Sequence, residues 1–367
     1  MNTLQRLHAE QDQSPWIDFI DRELIESGKL AERVKMGIRG LTSNPTIFGK
    51  AVASGQYDEL IKREIEAGHD TRRIFEEIEI ADVGDAADIL RAVYDEADGA
   101  DGFVSIEVEP DLAGDTQGTL ERARHLWRRL GRPNVFVKIP ATPEGLPAIE
   151  AAIAEGININ ITLMFSVDVY REVARAYIDG LRRRQAAGGE IRSVASVASF
   201  FVSRVDTKVD KWLDEIGSEA ALEARGQAAI ANAKLAYHAY KEIFESDDFA
   251  DLQAAGARVQ RCLWASTSTK NPIYRDVLYA EELIGPKTVD TLPNETIEAF
   301  LDHGVVSRTL DVGLDEAIAA IRAVEDLGIR METVTDELTV EGVAAFTKSF
   351  EDLMIVIDAQ RNALAPA

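Results

Sequence analysis

The chain has 367 residues, of which 46 % are hydrophobic, enough for a substantial core and too many for wholesale disorder. Forty Lys and Arg against 64 Asp and Glu leave a net charge of -24, which repels nucleic acid and anionic membrane surfaces. An anionic substrate would therefore need a locally basic pocket within an unfavourable overall field. The single cysteine, Cys262, excludes an intrachain disulfide and fits a reducing compartment. The opening from Met1 to Ser14 is polar and unlike a signal segment, and no apolar run reaches the roughly 20 residues of a membrane span. A soluble cytoplasmic protein is the expectation.

Short apolar strands alternate with long amphipathic segments. Trp16–Phe19 reads as the first strand, followed by a helix over Asp21–Glu32. Ile38–Asn44 reads as the second, ending at Asn44-Pro45 because proline holds its predecessor extended. A mostly helical stretch, Thr46–Asp98, leads to a third strand at Phe103–Glu109 and a helix over Thr116–Leu130. The remaining strands are Asn134–Pro140, Ile157–Leu163, Ser193–Phe201, Arg261–Ser266 and Lys287–Leu292. The tail reads as helical over Thr296–Ala363, with a long closing helix at Val340–Arg361. Eight strands alternating with helices predict an α/β fold, a (β/α)8 TIM barrel with additional N-terminal and C-terminal helices; a doubly wound sheet is the alternative. No composition break or Gly/Ser-rich linker divides the chain, so residues 1–367 are expected to form a single domain, with 293–367 as a helical extension packed on it.

Successive side chains of a strand point to opposite faces. In the fourth strand Val135, Val137 and Ile139 share one face, and Phe136 and Lys138 the other. Lysine is seldom buried without a partner or a task, and desolvation favours the neutral amine that attacks a carbonyl to form a Schiff base. The plainer alternative is an edge-strand lysine facing water. The same alternation places Ser105 with Glu107 and Glu109, Asn158 with Asn160 and Thr162, Thr42 with Asn44, and Ser199 with Val197 and Phe201; the seventh strand groups Cys262, Trp264 and Ser266. With the apolar sets under the helices, the interior collects Asp18, Asn44, Glu107, Lys138, Asn160, Thr162, Ser199 and Ser266 towards the C-terminal strand ends, where barrel enzymes place their active sites.

Each residue has a plainer reading: Asn44 as a helix cap, Asp18 in a solvated turn, Glu107 as a structural ion pair with Lys138. Together they are harder to dismiss, because each unsatisfied buried polar group costs about 1–3 kcal/mol. The set suits carbonyl chemistry through an amine, with an iminium as electron sink and carboxylates moving protons. Ser199, Arg204 and the loop Ser266–Lys270 are candidates for holding a phosphate, although Arg204 and Lys270 could equally be an ordinary helix-start arginine and loop lysine. The five histidines, His8, His69, His125, His238 and His303, lack metal-ligand spacing, and no Gly-x-Gly-x-x-Gly or Walker loop is present. Cys262, at the start of its strand, reads as core packing.

The segments Trp16-Ile-Asp18, Leu41-Thr-Ser-Asn-Pro45, Val104-Ser-Ile-Glu-Val108, Val137-Lys-Ile-Pro140, Gly156-Ile-Asn-Ile-Asn-Ile-Thr-Leu163, Ser199-Phe-Phe-Val-Ser-Arg204 and Trp264-Ala-Ser-Thr-Ser-Thr-Lys-Asn-Pro272 together resemble the transaldolase family, in its longer bacterial branch. The resemblance implies a class I aldolase barrel without metal or organic cofactor, acting in the non-oxidative pentose phosphate pathway. The implied reaction moves a dihydroxyacetone unit from sedoheptulose 7-phosphate to glyceraldehyde 3-phosphate, giving erythrose 4-phosphate and fructose 6-phosphate. By similarity Lys138 forms the Schiff base, Asp18 is the acid/base at the hydroxyl beside the breaking bond, and Glu107 with Thr162 positions a water. Asn44 and Asn160 would hold the dihydroxyacetone hydroxyls, with Thr42 and Ser43 shaping the floor. Ser199, Arg204 and Ser266 would meet the phosphate, with Phe201 nearby. One position departs from the pattern: many shorter transaldolases carry an arginine two residues after the serine matched by Ser266, whereas here Ser268 stands there and Lys270 follows. A fructose 6-phosphate aldolase, releasing the three-carbon unit to water, and an inert binding barrel are the alternatives. Sugar phosphates are the expected partners of a monomer or homodimer.

Overall fold

The computed structural model describes residues 1–43 and 45–365. Seven strands form one parallel sheet: β1 Gln13–Ile17, β2 Val104–Glu107, β3 Val135–Pro140, β4 Ile159–Met164, β5 Ser196–Phe201, β6 Arg261–Ala265 and β7 Thr288–Leu292. Their order is β1-β7-β6-β5-β4-β3-β2, so apart from the β1–β7 pairing each strand lies beside its sequence neighbour. Nearly every strand residue is buried. That is the burial expected of a parallel sheet whose connecting helices cover one face while the other turns inward.

Residues 38–43, the described part of the expected second strand, form no continuous ladder. Leu41 alone makes isolated parallel bridges, to Ile17 of β1 and to Val104 of β2. The backbone on either side of it is nonetheless tied to both edges. Arg39 N donates to Pro15 O at 2.9 Å and Thr42 N to Ile17 O at 2.9 Å, while Leu41 N donates to Phe103 O at 3.0 Å and Ser105 N to Leu41 O at 3.1 Å. A turn at 36–37 and a helix beginning at Pro45 leave this segment too short for a full ladder. Gly40 has a further task. A Cβ there would overlap the buried indole of Trp16, so only glycine lets the segment lie this close to β1.

The sheet is layered along its strands. Near the N-terminal strand ends Trp16, Phe103 and Phe136 stack, with Phe103 and Phe136 ring centroids 4.2 Å apart. Below them buried Asp101 accepts from Ser14 Oγ at 2.5 Å, Trp16 Nε1 at 3.1 Å and Arg39 Nε at 2.7 Å, with Arg261 at 3.4 Å. Burial opposes ionisation of Asp101, yet Arg261 and Arg39 hold its carboxyl below the ordinary carboxylate range. One level above the aromatics the register aligns Glu107, Lys138 and Asn160 on three neighbouring strands.

The tail is helical as expected, and its last helix is longer than the sequence pattern indicates, Met331–Leu364. It packs along the helices Pro45–Ala53, Asp58–Glu66 and Thr71–Glu96, with Phe350 edge-on to Phe75 at 5.4 Å. No helix among the described residues is long and apolar enough to cross a membrane.

Replacing Gly40 with alanine tests the close approach to Trp16. Overpacking of this kind costs about 1–3 kcal/mol, so Gly40→Ala should lower the urea midpoint without changing the slope of the transition. An unchanged midpoint would mean that the indole moves aside freely.

Candidate active site

A cavity of about 700 Å³ opens at the C-terminal strand ends. Eight of the sequence-predicted residues line it: Asp18, Thr42, Ser43, Lys138, Phe201, Arg204, Ser266 and Lys270. Four others are buried and not among its lining residues: Glu107, Asn160, Thr162 and Ser199. Asn44 lies outside the described residues.

Lys138 is 7 % exposed, and its Nζ stands 3.4 and 3.5 Å from the two oxygens of Glu107. The separation is looser than a tight charge-assisted hydrogen bond, so the amine is tethered without being fully engaged. Burial raises the pKa of Glu107, and the charge of Lys138 opposes that rise. Across β3, Asn160 Nδ2 donates to Ser105 Oγ at 3.0 Å and Ser199 Oγ donates to Asn160 Oδ1 at 2.6 Å. This chain confirms the inward alternation of β2, β4 and β5. Ser199, 2 % exposed, is held to Asn160 and is not among the residues that line the cavity. Ser105, inward by the same strand alternation, is the other half of the support of Asn160.

The hydroxyls of Thr162 and Ser43 are buried, and neither has a hydrogen-bond partner among the described residues. Buried donors in this state are positions at which a ligand or water is expected. Asp18 follows β1, with its backbone N–H bound to Leu292 O at 3.2 Å. Burial raises its carboxyl to about 6, helped by Glu295 and opposed by Lys270 and Lys138.

Ser266 reaches the cavity by a route that strand alternation does not provide. Cys262 and Trp264, its expected face-mates, turn towards the helices: Cys262 lies against the Tyr170 hydroxyl and Trp264 against Phe200 at 6.3 Å. The strand ends at Ala265, and Ser266 takes a left-handed backbone, φ 57°, that swings it inward to meet Ser203 Oγ at 2.9 Å. Cys262 is fully buried, which fits core packing.

The cavity lining carries five cations, Lys138, Arg204, Lys208, Lys211 and Lys270, against two carboxylates, Asp18 and Glu341. Among the described residues Arg204, Lys211 and Lys270 have no carboxylate within ion-pair distance, whereas Lys208 pairs with Glu337 at 2.6 Å and Glu341 at 2.7 Å. Arg204 lies over the Phe201 ring at 5.0 Å, and burial lowers its pKa. Ser268 also lines the cavity, beside Lys270. The locally basic pocket that an acidic chain needs for an anionic ligand is therefore present. The sequence reading missed Ser203, Lys208, Lys211 and Phe346; the helical spacing of Arg204, Lys208 and Lys211 was the only local signal for two of them. No group of three or more His, Cys, Asp or Glu among the described residues is arranged to hold a metal ion.

A parallel α/β sheet with a lysine–carboxylate pair at a basic cavity at the C-terminal strand ends defines a class: an enzyme-like α/β scaffold whose site suits an anionic ligand. Comparison with known proteins narrows it. Residues 15–357 match the family model described as Transaldolase/Fructose-6-phosphate aldolase. The chain is 47 % identical over 370 residues to Transaldolase 2 of a Nostoc species, covering 97 % of each. It is 48 % identical over 357 residues to Transaldolase 1 of Streptomyces coelicolor, covering 96 % of this chain and 93 % of the relative. Transaldolase of Mycobacterium bovis is 47 % identical over 345 residues, covering 93 % and 92 %. The chain belongs to the transaldolase/fructose-6-phosphate aldolase family.

The raised pKa of Asp18 has a consequence for stability. A carboxyl whose folded pKa exceeds its unfolded value of about 3.9 weakens the fold once it is ionised. That penalty is complete above about pH 6 and disappears below about pH 4. Asp18→Asn should therefore raise stability near about pH 8 by about 1–2 kcal/mol, with the gain fading towards about pH 4. Urea unfolding at the two pH values checks this, and equal midpoints near about pH 8 would refute it.

Proposed function

We propose that this protein is a transaldolase, transferring a dihydroxyacetone unit from sedoheptulose 7-phosphate to glyceraldehyde 3-phosphate through a Schiff base on Lys138. The observation that carries the reading is the Lys138 amine, buried beside Glu107 at the foot of a basic cavity that Asp18 also lines. The names and near-full-length coverage of the relatives support it.

In this reading the neutral Lys138 amine adds to the donor ketone, and Glu107 moves the proton that lets the hydroxyl leave as water. The Thr162 hydroxyl, without a hydrogen-bond partner among the described residues, holds that water. The iminium then draws electrons as the carbon–carbon bond breaks. Asp18, poised at about 6, is ionised at neutral pH and takes the proton from the hydroxyl beside that bond. Asn160, fixed by Ser105 and Ser199, keeps one amide N–H for a substrate hydroxyl. Asn44, Thr42 and Ser43 complete the sugar-binding side, and Arg204, Ser266 and Lys270 take the phosphate.

We further read the segment 39–42 as the eighth strand of a (β/α)8 barrel, supported by its hydrogen bonds to both β1 and β2. Residues 1–367 are read as one domain with 293–367 as its helical extension, and the continuous buried apolar cluster from Leu4 to Ile357 supports that. A cytoplasmic location suits phosphorylated sugars as substrates.

The first test is borohydride trapping with fructose 6-phosphate, followed by peptide mass mapping. A three-carbon adduct on Lys138, lost in Lys138→Met, is expected; an adduct on another lysine, or none, would sink the mechanism. Two further outcomes separate the roles. Because Asp18 must be ionised to act as the base, transfer should fall as pH drops through about 6, the value at which that carboxyl protonates. Arg204→Ala should raise KM for phosphorylated donors about 10–100-fold, the cost of a charge-assisted contact, with a smaller effect on kcat. Omitting the acceptor aldehyde distinguishes transfer from simple aldol cleavage, since a fructose 6-phosphate aldolase would turn over without it.

A further inference from the structure

The closing helix Met331–Leu364 forms the open side of the cavity above Lys138. It rests directly on the end of β4: a Cβ at Gly342 would stand 3.1 Å from Leu163 Cδ2, so a larger residue there would crowd that side chain. One turn later Phe346 brings its ring over the amine, with Lys138 Nζ 5.3 Å from the ring centroid. The helix is held on both sides of this point. Lys208 pairs with Glu337 and Glu341 before it, and Thr71 Oγ1 donates to Asp358 at 2.9 Å after it.

Lys138 Nζ thus has two neighbours of opposite character. On one side lies the Glu107 carboxylate, which suits a held water and proton transfer. On the other lies an aromatic face, which holds neither. We propose that Phe346 shields the covalent intermediate on Lys138 from solvent, so that the bound three-carbon unit passes to an aldehyde instead of being released. The inference rests on the Schiff-base reading given above.

The chemistry gives the shield a definite target. Once the donor carbon–carbon bond has broken, the three-carbon unit remains on Lys138 as an enamine. In transfer, the enamine carbon attacks the acceptor aldehyde carbon, the aldehyde oxygen takes a proton, and the resulting iminium is hydrolysed to release the new ketose. In release, the enamine carbon instead takes a proton from solvent. Water then adds to the iminium carbon, the carbon–nitrogen bond breaks, and dihydroxyacetone leaves the regenerated amine. Both routes end with the same hydrolysis, served from the Glu107 side. They part at the enamine carbon, close to the nitrogen that Phe346 covers. An apolar ring there removes the water that would deliver the competing proton.

The test is a partition ratio measured within one preparation, so that any misfolded fraction cancels. Dihydroxyacetone release from fructose 6-phosphate without acceptor is compared with transfer from the same donor to erythrose 4-phosphate. Phe346→Ala should raise the release-to-transfer ratio about tenfold, equivalent to about 1.4 kcal/mol of differential barrier. Phe346→Leu, which keeps apolar bulk, should stay within about twofold of the native ratio, a difference below about 0.5 kcal/mol. An unchanged ratio in Phe346→Ala, or an equal rise in both variants, would overturn the proposal. Borohydride trapping of the native protein separates the two levels. Without an adduct on Lys138, the Schiff-base reading and this inference fall together; with an adduct and an unchanged ratio, only the role of Phe346 falls.

Discussion

A lysine on the inward face of a buried parallel strand constrains everything around it. The ammonium form is costly to desolvate and needs a counter-charge, while the neutral form needs a hydrogen-bonding partner. Register supplies Glu107 on β2 and Asn160 on β4 at the level of Lys138. Asn160 is occupied by Ser105 and Ser199, so among the described residues Glu107 is the amine's polar partner, at 3.4–3.5 Å. The layers follow from that level. Below it, stacked aromatics and the Asp101 ion network fill the sheet interior and close its base. Above it, the same interior widens into a cavity.

Such a pair could serve structure alone, since removing one partner of a buried ion pair is usually destabilising whatever its task. What weighs against that reading is the company it keeps. Two buried hydroxyls, of Thr162 and Ser43, stand without partners among the described residues, and Asp18 is held at about 6 by burial near two lysines that pull the other way. Unsatisfied buried groups of this kind cost stability, and a bound polar ligand or water would satisfy them. A site awaiting a polyol would leave them as they are.

Charge presents the same contrast on a larger scale. The chain carries -24 overall, yet Arg204, Lys211 and Lys270 face the cavity without carboxylate partners among the described residues. Screening confines most of the distant negative charge to about 8–10 Å in physiological salt, so nearby unpaired cations govern the pocket. Lys208 belongs to the same helical face but is drawn to Glu337 and Glu341 of the closing helix. One strip of basic residues thus both presents charge to the cavity and holds the element that covers it.

Local alternation determined much of this protein from its sequence alone. Seven of the eight expected strands form, and Lys138, Glu107, Asn160 and Thr162 lie inward because side chains on a regular strand must alternate. The match to a family was likewise written in short segments around those strands. Alternation stops informing where regular geometry stops. The segment 38–44 carries a strand-like pattern, yet among its described residues only Leu41 makes bridges, and Ser266 turns inward through a left-handed backbone after its strand has ended. Ser199 lies on the expected face, but only the neighbouring strand decides that it serves Asn160. The placement of Phe346 over Lys138, across more than half the chain, was settled by tertiary packing. It depends on how closely Gly342 lets one helix approach β4 and on ion pairs between elements far apart in sequence, and neither is encoded in the periodicity of the segment that carries Phe346.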